Sequence, residues 1–532
     1  MAFVEHEEVT VRNARSIRSR VRSVAAGRRV AVIGGGLGGL AAALRLAHDG
    51  WEVTVFERHS RLGGKMNLIE DRGYRFDTGP TLITMPWVFE ELFDYVGEAI
   101  EHHVQLIPVA PLCRYTFADS TTIEMTTRCR DWLPQIRIME GGDASGFLRF
   151  LAMGSRVLEL SLGTFFQRSP WERPRLSDLT AFSKPLPPSV LLPYSRVVSR
   201  LCKDPRTRQL LNRYTTYVGS DPSQTPSLMS VIPAMELLYG GFHIVGGLYR
   251  LVEALERLCR HRGVELRTNT DIRRIHVAGG RVRSVESHTG EIVPADVVVM
   301  NGDAHRLPRL LGRTNESPPR PEALSLSGIV LLFGVRGALT GFPHHQVFFS
   351  ADYEREFREL FVERRFPVDP TVYVSIPTRT DRSMAPEGCE IVFVMANAPA
   401  CLDLPRHDLQ EAEQRIGLSE TAGQWDEATV AEARSRILRK LEPSGLAAIL
   451  EGADVEACVT PRSLAETYDA VGGAIYGTNA HGFRAFLRPP NRHRHIRGLY
   501  CVGGSTHPGG GTPMVLLSAR IVSRLIAEHE HG

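Results

Sequence analysis

The stretch Arg28–Arg58, "RRVAVIGGGLGGLAAALRLAHDGWEVTVFER", restricts the fold of this chain more than any other. A β-rich apolar run stops at glycines, a helical run follows with Gly50 as its C′ stop, and a second strand begins at Trp51. This pattern predicts a βαβ unit. Gly34, Gly36 and Gly39 form G-x-G-x-x-G between the first strand and the helix. The first glycine permits the tight turn, the second lets backbone approach a pyrophosphate, and the third lets helix and strand pack closely. Glu57 ends the second strand, where a carboxylate accepts the ribose hydroxyls of an adenosine. No G-K-[ST] follows, which excludes a P-loop. FAD and NAD both satisfy these residues.

A second glycine-rich turn lies near the other end, in "YCVGGSTHPGGGTPMVLLSAR" (Tyr500 to Arg520). Glycines before a helix bare their backbone amides beside the positive end of the helix dipole, so this too is an anion site. Between the two turns the chain is long enough, at 532 residues, for more than one core. A net charge of +3 gives no reason to expect nucleic acid. The eight cysteines are scattered without a CxxC pair, which reads as reduced thiols in a cytoplasmic protein. The longest apolar run, Ser327 to Val335, is far shorter than a bilayer span.

Residues 1–27 form a basic leader. Its Arg-rich part from Val11 has no apolar h-region, and Ala14, Ile17, Val21 and Val24 recur at helical spacing. It is expected to be a flexible tail or a helix lying on an anionic membrane surface. Residues 107–245 and 306–459 mix strands and helices, with a proline-rich segment from Ser169 to Tyr194. Order resumes at "GGLYRLVEALERLCRHRG", where Leu248, Leu251, Val252, Leu255 and Leu258 share one helical face and Gly263 ends the helix. A hairpin turning at Gly279 and Gly280 and a buried strand, "VPADVVVM", come next. The fold class is therefore α/β: a Rossmann-type dinucleotide domain (28–106, 246–305 and 460–532) interleaved with a mixed α+β substrate domain (107–245 and 306–459).

From Arg58 the chain resembles the flavin amine oxidase-like superfamily, where a second strand ending in Glu is followed by R-x-G-G, here Arg61-Leu62-Gly63-Gly64, and then by a G-P turn, Gly79-Pro80. The resemblance implies that these parts embrace FAD, not NAD. Lys65 stands where many members carry Arg, which keeps the charge and loses the bidentate fork. Three longer blocks, Gly63 to Pro86, Gly219 to Leu255 and Gly498 to Val522, are similar to the bacterial carotenoid desaturases that act on phytoene or dehydrosqualene. That family implies further cofactor contacts at Gly38, Arg58 and Ile272, and a flavin-facing terminal turn at Gly503, Gly504, Thr512, Pro513 and Met514.

Members of the family dehydrogenate long apolar isoprenoids. The resemblance therefore implies a carotenoid-precursor substrate and peripheral attachment to the inner face of the cell membrane from the cytoplasm, with oxygen or a quinone as electron acceptor. Many members read P-G-A-G-[VI]-P-G where this chain has Pro508-Gly509-Gly510-Gly511-Thr512-Pro513-Met514. This departure bears on the substrate and the reaction outcome. A carotenoid oxidase or ketolase acting on a conjugated polyene is the enzymatic alternative, and a non-catalytic prenyl-lipid carrier of the same fold is the other.

No catalytic residue is assigned from sequence. His507 reads as a turn histidine bonded to backbone, and His243, Tyr239 and Glu236 as core or cavity lining. His344-His345 and His493-Arg494-His495 lack a convergent third ligand, so no metal is expected.

Overall fold

A computed structural model describes residues 27–138, 144–172, 186–313, 321–401, 424–482, 485 and 487–530. The leader, apart from Gly27, and residues 173–185 of the proline-rich segment lie outside the described residues.

One layer is a parallel five-stranded sheet. Its order is Leu499–Cys501, Val297–Met300, Arg29–Ile33, Glu52–Phe56 and Glu265–Arg267. The predicted βαβ unit supplies the third and fourth strands, and Gly50 follows the helix Leu37–His48 with φ +97°. That helix is buried on every side from Leu37 to Leu46. Its run Ala41 to Ala43 is small enough to be enclosed by the sheet, by Tyr249–His261 and by the terminal helix Thr512–His529, whose Leu517 and Ile521 share its core. The opposite face of the sheet, through Ala31, Phe56 and Val298, packs on an antiparallel meander, Ile272–Ala278, Arg281–Ser287 and Ile292–Pro294. Its first hairpin turns at Gly279 (φ +60°) and Gly280 (φ +70°), the two positive φ values of a type I′ turn.

The second part is a mixed seven-stranded sheet running from Val455–Val459 to Thr122–Met125, with the long central strands Ser327–Arg336 and Cys389–Ala398. Helices Ala144–Gly163, Tyr194–Leu201, Pro205–Arg213 and Val231–Tyr239 pack with its Cys113–Thr116 end around Trp132, Phe147, Phe150 and Tyr194. Among the described residues no helix is long and apolar enough to cross a membrane.

Candidate active site

The strand Arg29–Ile33 runs into Gly34, whose φ of +100° turns the chain while its amide donates to the Phe56 carbonyl at 2.8 Å. A Cβ on Gly39 would stand 2.2 Å from the Gly34 carbonyl oxygen, so only glycine lets the helix begin this close to the strand. Gly36 is the N-cap of Leu37–His48, and no side chain caps that turn. The R-x-G-G turn folds directly over it: the Gly63 amide donates to the Gly35 carbonyl at 2.9 Å, and a Cβ on Gly64 would lie 3.1 Å from Gly36 Cα. Glu57 is buried, with Oε2 accepting from the Gly35 amide at 2.8 Å and Oε1 from the His59 amide at 3.0 Å. The carboxylate is thus fixed in place, and its remaining lone pairs suit a ribose diol.

Asn301, which sequence reasoning did not single out, joins the two glycine turns. It follows the buried strand Val297–Met300, its amide donates to the Ile33 carbonyl at 2.8 Å, and its Nδ2 donates to the Gly34 carbonyl at 3.1 Å. Its Oδ1 lies 2.8 Å from the Cβ position of Gly38 and 2.9 Å from that of Gly503. The Gly503 Cα is itself 3.5 Å from the Gly38 Cβ position, so the terminal turn lies against the early one. The one signal in the sequence was a polar residue ending a fully apolar strand.

Gly503 has φ +113°, a Cβ on Gly504 would meet Gly510 Cα at 3.5 Å, and Gly511 (φ +110°) is the uncapped N-cap of Thr512–His529, with Pro513 in its first turn. Thr512 and Met514 follow in that turn. The fully buried Asn491 holds this segment, its Nδ2 donating to the Cys501 and His507 carbonyls and to Ser518 Oγ at 2.8 to 3.2 Å. His507 is also fully buried. Its Nε2 donates to the Phe165 carbonyl at 2.9 Å, and burial pushes its pKa down to about 4, so it is a neutral, backbone-bonded turn residue.

The other expected cofactor residues divide. The Lys65 Nζ donates to the Ala474 and Ile475 carbonyls at 3.3 and 2.7 Å; the side chain retains solvent-accessible surface while surrounded by protein, and desolvation lowers its pKa against the opposing pull of Asp303. Gly79 sits where a Cβ would overlap the Lys65 carbonyl oxygen at 1.9 Å, and with Pro80 it lines the cavity described below. Arg58 and Arg61 each use part of their donors on backbone carbonyls. Arg58 donates to the Glu466 and Thr467 carbonyls, and Arg61 to the Leu68 carbonyl at 3.2 Å beside Glu70. Ile272 packs its side chain into the core with Phe56 and Val298.

A cavity of about 750 Å³ opens against this cradle. Gly79 to Thr81 and Pro508 to Met514 form part of its wall, and most of the rest is apolar, from Leu160, Ile232, Met235, Val347, Phe393 and Met395. Besides neutral polar residues such as Ser161, Thr164 and Asn397, three groups containing ionisable side chains interrupt it. Thr81 Oγ1 and Tyr373 Oη lie 2.7 Å apart, and Tyr373 Oη is 2.7 Å from the His345 Nδ1, whose ring burial holds neutral with a pKa pushed down to about 3. Arg488, buried beside Gly509, donates through Nη1 to the Tyr476 and Thr478 carbonyls, and burial lowers its pKa to about 10. Arg213, Tyr217 and Glu236 form the third group.

The remaining candidates stand off the cavity wall. His243 is buried with Nε2 3.5 Å from Asp381 Oδ2, its ring against His344, and Tyr239 is turned outward against the edge of Trp87. Among the described residues no group of three potential ligands is placed to hold a metal ion.

A family model, flavin containing amine oxidoreductase, matches residues 37–527. The 4,4'-diapolycopene oxygenase of Methylomonas sp. is 33% identical over 515 residues, covering 94% of this chain and 98% of that protein. The zeta-carotene-forming phytoene desaturase of Myxococcus xanthus is 33% identical over 520 residues, covering 95% of each. Among solved structures, an oxidoreductase from Methanosarcina mazei superposes with a TM-score of 0.58 at 15% identity over 94% of this chain and all of that one. This last likeness is one of fold.

Proposed function

Because the chain belongs to the flavin containing amine oxidoreductases, and within them to the carotenoid desaturase family, we propose that it dehydrogenates a long apolar isoprenoid of the carotenoid-precursor class, such as phytoene or dehydrosqualene. The protein is an FAD-dependent oxidoreductase. The backbone of Gly34 to Gly39 and of Gly63 and Gly64, with the Glu57 carboxylate, would hold its dinucleotide part, while Lys65, Gly79, Pro80 and the turn from Gly503 to Met514 would hold the flavin end. Bound FAD supplies the hydride acceptor that side chains lack.

One observation carries the proposal: a largely apolar cavity is walled on one side by the same glycine turn, Pro508 to Met514, that starts the terminal helix. The apolar wall excludes water and orients a long chain against that turn, and the uncapped helix start favours negative charge beside it. The substrate class also leads us to place the protein peripherally on the inner face of the cell membrane from the cytoplasmic side, with oxygen or a quinone reoxidising the flavin.

Incubation of flavin-loaded protein with phytoene, dehydrosqualene and lycopene separately, followed by mass analysis, tests the reading. Loss of hydrogen pairs from phytoene or dehydrosqualene is expected. The oxygenase name of the Methylomonas relative favours a second reading, oxidation of an already conjugated polyene. Reaction of lycopene alone, with gain of oxygen, would establish that reading in its place.

A further inference from the structure

Arg213 is an unusual residue to find on the wall of an apolar cavity. It is only 9% exposed and ends the helix Pro205–Arg213, where the dipole favours a cation. Burying a guanidinium in apolar surroundings is costly unless its charge is neutralised and its donors are used. Neutralisation is indirect. Arg213 Nη1 donates to Tyr115 Oη at 3.1 Å and approaches Tyr217 Oη at 3.5 Å, and Tyr217 in turn donates to Glu236 Oε2 at 2.7 Å. Tyr214 donates to Glu236 Oε1 at 3.0 Å, and the guanidinium carbon stands 5.4 and 5.2 Å from the ring centres of Tyr115 and Tyr217.

This frame fixes the guanidinium without using it up. Arg213 has five N–H donors. Among the described residues only Nη1 has hydrogen-bond partners, which leaves Nε and Nη2 free on a side chain that lines the cavity. A hydrocarbon end placed there would desolvate those donors and return nothing, a penalty comparable to a lost hydrogen bond to a charged group. An oxygen acceptor at the chain end satisfies them. Tyr217 and Glu236 line the same cavity, so the polar patch is continuous.

We propose that Arg213, braced by Tyr115, Tyr217 and Glu236, is an end-group subsite, and that the preferred ligand is a polyene or isoprenoid with an oxygen-bearing terminus, a carbonyl or carboxylate, instead of the bare hydrocarbon. The inference rests on the isoprenoid reading above and narrows it.

The test uses flavin-loaded full-length protein and two pairs of ligands, a linear C30 and a linear C40 polyene hydrocarbon, each with the terminal aldehyde of the same skeleton. Binding is read by quenching of protein fluorescence, and turnover by bleaching of the flavin without air. In the unaltered protein the aldehyde should bind at least about tenfold more tightly than its hydrocarbon, the lower range for a hydrogen bond from a charged donor. In Arg213→Met that ratio should fall to within about twofold. Tyr217→Phe, which frees the brace but keeps the ring, should reduce the ratio partway and serves if Arg213→Met does not retain flavin. Equal affinity for aldehyde and hydrocarbon in the unaltered protein overturns the subsite, as does an unchanged ratio in Arg213→Met. If hydrocarbons still bleach the flavin while no aldehyde preference exists, the dehydrogenase reading stands and only the subsite falls. Absence of binding by all four ligands removes both.

Discussion

Gly510 stands where many relatives of this family carry alanine, and the structure gives a reason that can be tested by reversing a sign. A Cβ on Gly510 would lie 2.5 Å from Tyr476 Cδ1 and 3.3 Å from its Cγ. The backbone does not forbid it, since Gly510 lacks the left-handed φ of its neighbours Gly509 (+132°) and Gly511 (+110°). Two effects therefore oppose each other in Gly510→Ala. Loss of unfolded-state freedom stabilises by about 0.4 to 1 kcal/mol. Overpacking against an aromatic ring costs about 1 to 3 kcal/mol, so the single variant should be destabilised by about 1.3 kcal/mol, the difference of the two mid-range values. In a Tyr476→Ala background the overlap is gone and the same substitution should become stabilising, while in Tyr476→Phe, which keeps the ring, it should still destabilise. The assay is the thermal midpoint of flavin-loaded protein across this double-mutant cycle. A Gly510→Ala effect of the same sign and size in all three backgrounds would show that Tyr476 is not what excludes the methyl group.

Glu57→Gln must turn its NH₂ toward either the Gly35 or the His59 amide, a donor facing a donor at one of the two positions; FAD affinity should fall by about tenfold or more, read by flavin retention on dialysis. Burial pushes the pKa of His481 down to about 4, and its Nε2 accepts from the Asp221 amide. As a depressed base, it contributes stability that is full above about pH 6.5 and is lost as pH falls toward 4. His481→Gln should therefore flatten the acid limb of the thermal midpoint by up to about 1.4 kcal/mol per pH unit; an unchanged slope would mean that this ring titrates as it does in the unfolded chain. Arg28 donates to the Glu530 carbonyl, so the two ends of the described core touch. A circular permutant joining residues 530 and 28 by a short linker and opened at the exposed Gly312 should still hold flavin, whereas a flavin-free but folded permutant would show that chain order matters to the cradle.

The part of this fold that sequence predicts well is the part governed by local rules. Period and glycine placement locate Leu37–His48, Tyr249–His261 and the Gly279-Gly280 hairpin because each depends on residues within a few positions of one another. The site is legible to the same extent: Gly34, Gly39, Gly63 and Gly503 carry backbone constraints that a string of letters displays. Asn301 and Arg213 are invisible by the same measure. Asn301 acts through Gly34, Gly38 and Gly503, and Arg213 through Tyr115 and Glu236, contacts that exist only after distant strands and helices have converged. Arg58 and Arg61 likewise make contacts no local pattern displays, donating to carbonyls at Glu466, Thr467 and Leu68.

These two kinds of residue also divide the work. The proposed cofactor cradle is built from backbone: Gly36 against Gly63, Gly503 against Gly38, and two uncapped helix starts, all positioned by a sheet whose edge strand Leu499–Cys501 arrives from the far end of the chain. Backbone positions set by a sheet are indifferent to most neighbouring side chains. The cavity wall is different, because Tyr476 at Gly510, Arg213 with Tyr217 and Glu236, and the Thr81–Tyr373–His345 chain are side chains that a single substitution reshapes. It follows that changes at these positions should move the choice of isoprenoid while flavin content stays constant, and that changes at Gly39, Gly63 or Asn301 should remove flavin before they alter that choice.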